Sequence, residues 1–542
     1  MNPSRRDIAA GSLALLAAGC ATPTSGAGGE PIVETNKGRV RGARVNGVDV
    51  FKGIPYGANT GGAARFKPPV APEAWGGVRD ALNWGPNAPQ LTSGPVVPTG
   101  MGAQMREFFG FTPDVPTEIS EDCLVLNVFT PEASRARKRP VMVWMHGGGY
   151  EVGTGSGSRS NGSNLCKLYD VVTVTINHRL GVLGYADLSE YGEQYARSGI
   201  NGQLDLILAL EWVRDNIEAF GGDPNTILIH GESGGSSKVG VLLAMPGARG
   251  LFHRAICQSG APTRMPTHEQ GAVAAANLLR ELQIAPTDLA RINDVPALDL
   301  VSAGQRAVAS LGGPMSGRGF APLVGGTDLP VTPFEAVANG SARDIPVIIG
   351  CTKHEAALFL AGGGMDPSTM TEEQLNQRAP MFLGPQANEL LAGYRANHPD
   401  YTPGELLVRA QTDSMMRYPS IKFAEAHIRG GGAPTFMYMF TWESPVLPNL
   451  HAAHGIDGTF YFANTETVNI AAGNAEAAAL SAKTSAAWAN FARTGVPSAP
   501  GLPAWPHYTT ERRETMIFNA SPVVESDPLS ADRELRERVT PM

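Results

Sequence analysis

Short apolar runs recur through this chain of 542 residues, and glycine-rich turns or helical patterns follow several of them. Continuous apolar runs rich in β-branched residues are typical of strands that are buried on both faces of a parallel sheet. Intervening helices would then cover both faces of that sheet. The chain is therefore predicted to adopt an α/β fold with a large, mostly parallel central sheet. The candidate strands are 140–145, 171–176, 226–230, 345–350 and 436–442.

The pattern indicates one large domain rather than several small ones. Beyond its N-terminal segment the chain has no low-complexity linker and no internal repeat. We therefore expect a single domain over 32–542. Residues 204–220 place apolar side chains at helical spacing, and the glycines and proline of 221–224 end that helix. Alternating residues at 39–42 and 48–51 predict antiparallel strands at one edge of the sheet.

The first twenty residues have the organisation of an export signal. Arg5 and Arg6 precede an uncharged, mostly apolar stretch at 8–18, which is too short to span a bilayer. Paired arginines at this place resemble a twin-arginine signal, the route that exports folded proteins. The sequence before Cys20 resembles the lipobox of bacterial lipoproteins. We therefore expect a twin-arginine, lipoprotein-type signal peptide over 1–19.

This signal predicts where the mature protein is located. Cys20 would carry the lipid, and the small and polar residues of 20–31 would form a flexible tether to the domain. The protein is thus expected to be exported and anchored by that lipid on the periplasmic side of a membrane. The alternatives are an ordinary signal peptide that is cleaved nearby and a disordered N-terminus.

Charge and composition exclude several classes of protein. The chain has 43 Lys and Arg against 51 Asp and Glu, a formal net charge of −8, which gives nucleic-acid binding no electrostatic basis. It has no run of 18 apolar residues, no His-Glu-x-x-His and no paired Cys-x-x-Cys, so neither a membrane-spanning helix nor a metal site is predicted. The other four cysteines are spread singly and are expected to be mostly buried free thiols. They are Cys123, Cys166, Cys257 and Cys351.

One motif predicts a catalytic serine. The sequence Gly-Glu-Ser-Gly-Gly at 231–235 is the only Gly-x-Ser-x-Gly in the chain, and it lies between a candidate strand and a helical pattern that begins near Ser236. Glycines on both sides of the serine permit a sharp turn that exposes its hydroxyl above the sheet edge. Ser233 is therefore the candidate nucleophile. A structural glycine-rich turn is the competing interpretation.

A serine nucleophile needs a base to take its proton and an acid to orient that base. In hydrolases with this turn the chain order is serine, acid, histidine. Glu355 follows the strand 345–350 by a short turn and is the candidate acid. His451 and His454 both follow the strand 436–442, and their spacing does not separate them as candidates for the base.

A second glycine-rich loop follows the strand 140–145. Its glycines at 147–149 allow bare backbone N–H groups to approach a substrate oxygen, as an oxyanion hole requires. A phosphate cradle is the alternative for this loop and for the glycines of 153–157. No Gly-Lys-Ser/Thr follows either stretch, so nucleotide binding is not predicted, and no cofactor is expected.

Seven strings spread over the chain resemble one family, the type-B carboxylesterases, which include cholinesterases and bacterial para-nitrobenzyl esterases. The resemblance runs from about Val33 to Phe518. It implies an α/β-hydrolase fold and a serine hydrolase that cleaves carboxylic esters through an acyl-enzyme intermediate, acting on a small-molecule ester. The strings are FKGIPYG at 51–57, RFKPP at 65–69, WGGVRD at 75–80, SEDCLVLNV at 120–128, NHRLG at 177–181, FGGDP at 220–224 and NFARTG at 490–495.

The resemblance assigns roles to individual residues. Ser233 matches the nucleophile, Glu355 the triad acid, and His454 the base. The chain departs from the family at Asp457, where a glutamate is usual, and on both sides of Glu355. The resemblance also implies oxyanion donors at Gly148, Gly149 and Gly234, and buried polar groups near the histidine at Glu232 and Ser259.

Other departures concern substrate recognition. The family pairs a cysteine near residue 89 with the one matching Cys123, and here no cysteine lies between Cys20 and Cys123. The stretch 91–119 has no tryptophan where cholinesterases keep a choline-binding indole, so quaternary ammonium recognition is not expected. Its methionines and phenylalanines predict a mobile apolar wall at the mouth of the site.

Two alternatives to an ordinary carboxylesterase stay open at this point. One is the same triad applied to a specialised substrate, as in a lipase, an amidase or a toxin-ester hydrolase. The other is a non-catalytic binding protein on this fold, like the adhesion members of the superfamily.

Overall fold

The apolar runs form the centre of one large sheet in the computed structural model. The structure describes residues 30–91, 118–263, 265–309, 311, 319–446, 448–466, 470–471 and 473–542. Residues Pro31–Met542 form one compact unit. The strands are β1 (Ile32–Thr35), β2 (Gly38–Arg41), β3 (Ala43–Val45), β4 (Val48–Pro55), β5 (Val78–Asp80), β6 (Val125–Thr130), β7 (Arg139–Met145), β8 (Val172–Ile176), β9 (Gly222–Glu232), β10 (Arg254–Gln258), β11 (Val347–Thr352), β12 (Thr435–Phe440), β13 (Glu514–Phe518) and β14 (Val523–Ser526).

Eleven of these strands form the central sheet, in the order β14-β13-β12-β11-β10-β9-β7-β8-β6-β4-β3. The seven strands from β13 to β8 run parallel to their neighbours, and the strands outside them pair antiparallel. The predicted α/β-hydrolase fold with a mostly parallel sheet is therefore confirmed. Because parallel strands end at the same edge, the turns after β7, β9, β10 and β11 lie side by side.

Helices pack on both faces of this sheet. Among the described residues the α-helices are α1 (Ser163–Tyr169), α2 (Gly181–Tyr185), α3 (Asn201–Asn216), α4 (Gly234–Ala244), α5 (His268–Glu281), α6 (Ala297–Ala309), α7 (Pro333–Ala338), α8 (Glu355–Gly362), α9 (Glu372–Leu383), α10 (Ala387–Asn397), α11 (Pro403–Thr412), α12 (Tyr418–Gly430), α13 (Gly458–Tyr461), α14 (Ala475–Thr494) and α15 (Ser530–Val539). Within these residues, none of the helices is both long and apolar enough to cross a membrane.

Burial on both faces explains why the strands read as continuous apolar runs. Along β7, Val141 and Val143 pack into one apolar core and Met142 and Trp144 pack into another. Successive strand side chains point to opposite faces, so both sets must be apolar when helices cover both faces. All seven residues of β7 are buried.

The N-terminal prediction was correct for both antiparallel strands, but only one of them lies at the edge of the central sheet. Residues 48–51 lie in β4, which pairs antiparallel with β3 at the edge of the central sheet. Residues 39–42 belong largely to β2, which forms a separate three-stranded sheet with β1 and β5. Alternation predicts a strand but not the partner with which it pairs. The four cysteines within the described residues are buried and unpaired, as expected.

A buried ion pair joins the turn after β8 to α3. Arg179 and Asp205 are both buried, and the guanidinium Nη2 and Nε lie 2.6 Å and 2.9 Å from the two carboxylate oxygens. The backbone N–H of Arg179 also donates to Asp205 Oδ2 at 3.0 Å, and Nη1 donates to the carbonyl of Lys67 at 2.7 Å. The pair thus joins three segments that are distant in sequence.

We predict that Asp205→Asn lowers the free energy of unfolding by about 3–5 kcal/mol, because it leaves the Arg179 guanidinium buried without its counter-charge. The measurement is the midpoint of urea denaturation. Asp215→Asn is the matched control on the same helix, since Asp215 is exposed and paired with Arg214, and it should cost about 0.5 kcal/mol or less. Equal destabilisation by the two substitutions would contradict a stabilising role for the buried pair of Arg179 and Asp205.

Candidate active site

Ser233 lies at the sharp turn between β9 and α4. Its backbone has a φ of 59° and a ψ of −123°, a conformation that non-glycine residues rarely adopt. The turn is fixed by the adjacent strand, because the Ser233 N–H donates to the carbonyl of Gln258 at 2.8 Å. A Cβ on Gly235 would lie 2.0 Å from the carbonyl oxygen of Met145 in β7, so only glycine fits there. A serine at a strained turn between a strand and a helix is the backbone geometry that the motif predicts.

The turn also brings two glycine segments into contact. A Cβ placed on Gly234 would lie 2.5 Å from the backbone nitrogen of Gly149. Gly148 and Gly149 have φ values of 86° and 62°, so this loop uses backbone conformations that glycine adopts without strain. The loop after β7 and the start of α4 therefore meet beside Ser233.

His454 and Glu355 are in direct contact, although 99 residues separate them. The Nδ1 of His454 forms a short hydrogen bond with Glu355 Oε2. The other oxygen of Glu355 accepts from the backbone N–H of Thr352 at 2.6 Å, and the carboxylate is completely buried at the start of α8. The backbone N–H of His354 donates to the carbonyl of Ala452 at 3.0 Å, which holds the two segments together.

A second carboxylate lies on the other side of the imidazole. Glu232 Oε1 is 3.2 Å from His454 Nε2. Burial lowers the pKa of His454, but the charges of Glu232 and Glu355 outweigh this effect and raise that pKa to about 9. Each ring nitrogen thus faces a carboxylate, which favours the charged imidazolium.

The competing histidine lies elsewhere. His451 is 40% exposed in its side chain, and its Nδ1 lies 3.1 Å from Glu443 Oε2. Its ring contacts that of His354, with centroids 5.0 Å apart. Glu355 therefore bonds His454 and not His451.

Asp457, where the chain departs from the family, is buried close to this group. Its Oδ2 accepts hydrogen bonds from the hydroxyls of Tyr438 and Tyr461, each at 3.0 Å. Burial raises the pKa of Asp457, and the charges of Glu232 and Glu355 raise it further, to about 7. The two tyrosines therefore satisfy one oxygen of this shorter side chain, whereas Oδ1 is buried without a hydrogen-bond partner among the described residues. This environment disfavours the charge of the carboxylate.

Several neighbours of the site were not predicted from the sequence. Arg159 Nη2 donates to the carbonyl of Gly455 at 2.5 Å and contributes positive charge near Glu232 and Asp457. The ring of Phe359 packs against that of His454, with centroids 4.8 Å apart.

Lys238 is completely buried in α4. The signal available for Lys238 was a single lysine in an otherwise apolar helical run.

Two further predictions concern the surroundings of the site. Ser259 follows β10, is completely buried with a φ of 55°, and its hydroxyl has no partner within the described residues. The apolar wall predicted for 91–119 lies almost entirely outside the described residues, which omit 92–117.

In the part of the chain that the structure describes, no three His, Cys, Asp or Glu side chains are grouped as a metal ion would require.

Comparisons with known proteins identify the family to which this chain belongs. A sequence model of the Carboxylesterase family matches residues 29–536. Para-nitrobenzyl esterase of Bacillus subtilis is 36% identical over 508 residues, which cover 93% of this chain and 98% of that protein. Human cocaine esterase is 32% identical over 552 residues, which cover 95% and 92% of the two chains.

Solved structures show the same architecture. Carboxylesterase EST55 of Geobacillus stearothermophilus, at pH 6.2, superposes with a TM-score of 0.81 and 38% identity, covering 93% of this chain and 99% of that one. An esterase from Clostridium hathewayi that hydrolyses aliphatic aromatic polyesters superposes with a TM-score of 0.77 and 34% identity, covering 94% and 98%. The chain belongs to the carboxylesterase family and is a serine hydrolase of carboxylic esters.

Proposed function

We propose that Ser233, Glu355 and His454 are the nucleophile, the acid and the base of this esterase. The observation that carries the proposal is the bond between His454 Nδ1 and Glu355 beside the strained turn of Ser233. A carboxylate on Nδ1 fixes the tautomer that leaves Nε2 free to accept a proton, and it stabilises the imidazolium that forms.

Acylation begins when His454 Nε2 takes the proton of Ser233. The Ser233 Oγ then forms a bond to the ester carbonyl carbon, and the carbonyl oxygen becomes an oxyanion. Backbone N–H groups of Gly148, Gly149 and Gly234 would donate to that oxygen. The bond to the alcohol oxygen breaks, and the proton on His454 goes to the departing alcohol.

Deacylation repeats these steps with water. His454 takes a proton from a water molecule, whose oxygen bonds to the acyl carbon, and the bond to Ser233 Oγ breaks. The acid leaves, and the proton returns to Ser233. Because His454 Nε2 lies beside Glu232 Oε1, the ring must first present Nε2 to Ser233. Catalytic hydrogen bonds often tighten only when substrate is bound.

We further propose that the substrate is a small, uncharged ester. Relatives carry the names para-nitrobenzyl esterase and cocaine esterase, and one structural neighbour acts on aliphatic aromatic polyesters. Three carboxylates lie around His454, which disfavours an anionic acyl group beside it. A panel of esters varied separately in the acyl and alcohol parts, with matched amides and long-chain esters, would distinguish an esterase from an amidase or a lipase.

A phosphonate ester should label Ser233 and no other serine, because only a serine activated by a base attacks phosphorus quickly. Mass spectrometry of the labelled peptide checks the position. Ser233→Ala should lower kcat by about 10⁴-fold or more, since only binding and oxyanion stabilisation remain.

The two histidines provide the control for this experiment. His454→Ala should abolish rapid phosphonylation, whereas His451→Ala should keep most of the rate because His451 contacts Glu443 instead of the site. Phosphonylation of a different serine, or the reverse order of the two histidine variants, would overturn the assignment.

The position of Glu232 predicts a pH effect. The base must be neutral to take a proton, so kcat/KM should rise with pH through the pKa of His454 at about 9. Glu232→Gln removes a negative charge 3.2 Å from Nε2 and lowers that pKa. The rising limb of the profile should therefore move to lower pH by about one unit or more.

Glu443→Gln is the matched control, because Glu443 faces His451 rather than His454. It should leave the position of the limb unchanged. A profile that Glu232→Gln does not move, or that both substitutions move equally, would show that Glu232 does not set the charge state of the base.

We also propose that the protein is exported and held at a membrane by a lipid on Cys20, as Arg5, Arg6 and the lipobox-like sequence before Cys20 predict. Cys20→Ser should then release the protein from the detergent phase of a fractionation or block its processing. The double substitution Arg5→Lys and Arg6→Lys should leave active enzyme in the cytoplasm. Wild-type protein that remains in the aqueous phase with residues 1–19 intact would exclude this location without affecting the triad.

A further inference from the structure

Among the described residues, one buried lysine has no counter-charge. Lys238 lies in α4, five residues after Ser233, and its side chain is completely buried. Burial alone shifts the pKa of Lys238, and no aspartate or glutamate of the described residues contributes to that shift. Burying an ammonium group without a carboxylate is costly, so such a group is retained only where the interactions it makes offset that cost. The contacts of Lys238 therefore indicate what it does.

Its strongest contact is with the residue that precedes the glycine loop. The Nζ of Lys238 donates a hydrogen bond of 2.9 Å to the carbonyl oxygen of His146. That carbonyl belongs to the same peptide group as the N–H of Gly147. On the far side of the loop, the ring of Tyr150 has its centroid 5.8 Å from the same Nζ. Lys238 therefore contacts the residues on both sides of the glycines at 147–149.

This placement matters because the glycine loop has little rigidity of its own. Gly148 and Gly149 adopt positive φ, and glycine has the largest choice of backbone conformations of any residue. The third candidate donor, Gly234, lies one helical turn before Lys238 in α4. The lysine thus joins the segment that carries two of the donors to the helix that carries the third.

The groups that face the ammonium are neutral. The rings of His146 and His178 stack with centroids 4.9 Å apart, and burial, followed by the charge of Lys238, lowers the pKa of each well below its usual value. Burial raises the pKa of Tyr150. The positive charge is therefore not cancelled by its neighbours, and in a water-poor interior its field acts on the adjacent loop.

We propose that Lys238 is a positioning residue for the oxyanion hole: it fixes the glycine loop against α4 through the His146 carbonyl, and its charge favours the developing oxyanion. The assignment rests on the proposed function, since it needs Ser233 to generate an oxyanion at this loop. A purely structural lysine would stabilise the fold without distinguishing the oxyanion from the neutral carbonyl.

A matched pair of ligands separates these two roles. A trifluoromethyl ketone forms a hemiketal oxyanion with the serine, whereas the corresponding methyl ketone binds as a neutral carbonyl. In Lys238→Met, the ratio of the two inhibition constants should shift against the trifluoromethyl ketone by roughly tenfold, less than the 10²–10³-fold for loss of a direct donor. Lys238→Gln, which keeps a donor but no charge, should show part of this loss and provides a second variant if methionine prevents folding.

Leu242→Ala is the control for destabilisation, because Leu242 is buried in the same helix, one turn beyond Lys238. It should lower the melting temperature and leave the ratio of inhibition constants unchanged. A ratio that neither lysine variant changes, or that Leu242→Ala changes as much, would overturn the proposal.

The pH dependence gives a readout that a structural role would not produce. Burial lowers the pKa of Lys238 to about 7, so the ammonium loses its proton as pH rises through neutrality. The charge therefore favours the oxyanion only below about pH 7, and at higher pH the lysine acts through its hydrogen bond to the His146 carbonyl. We define the ligand preference as the inhibition constant of the methyl ketone divided by that of the trifluoromethyl ketone. The preference of the wild type, divided by that of Lys238→Met, should therefore decrease as pH rises through about 7. A constant quotient would contradict a role for the charge. If wild-type Ser233 takes up no phosphonate, the proposed function itself fails; if it is labelled and the ratios do not change, only the assignment of Lys238 fails.

Discussion

The strained turn at Ser233 is the constraint on which the rest of the site depends. A serine with a φ of 59° persists only where its surroundings fix the backbone, and here strands on both sides of β9 do so. Gln258 in β10 accepts from its N–H, and Gly235 packs directly on the Met145 carbonyl of β7. The same close approach places Gly234 against Gly149. The position of the nucleophile and the shape of the glycine loop are therefore one structural property, and neither can change without the other.

Much of this arrangement was predictable because it is encoded locally. Apolar runs gave the parallel strands, and the glycines at 231–235 gave the turn, since both depend on neighbouring residues. Glu355 was predicted from its place after a strand. The choice of His454 over His451 needed the resemblance to the family, because the two histidines differ only in what they contact. Their partners, Glu355 and Glu443, are determined by the path of the chain after β12.

Contacts between distant segments could not be predicted from this one sequence. The bond from Lys238 to the His146 carbonyl spans 92 positions, and the bond from Arg159 to the Gly455 carbonyl spans 296. Neither residue lies in a motif. Likewise, alternation at 39–42 predicted a strand correctly but not its place in a separate sheet, since pairing is determined by tertiary structure. In each case the residue type was informative and its partner was not.

The charges around His454 raise a question of balance. Glu232 and Glu355 stabilise the imidazolium on both sides, yet a base that is charged in the resting state cannot take a proton from Ser233. Stabilisation that is equal in the resting and transition states does not accelerate the reaction. Asp457 limits the excess of negative charge around His454, because its pKa of about 7 lets it take up a proton near neutrality. The positive charges of Arg159 and the imidazolium then equal the negative charges of Glu232 and Glu355. Glu355 keeps its bond to Nδ1 in the resting state and in the transition state, whereas Glu232 must give up Nε2 to Ser233. The contribution of Glu232 to catalysis therefore depends on the difference between the contact of Nε2 with Glu232 and its contact with Ser233.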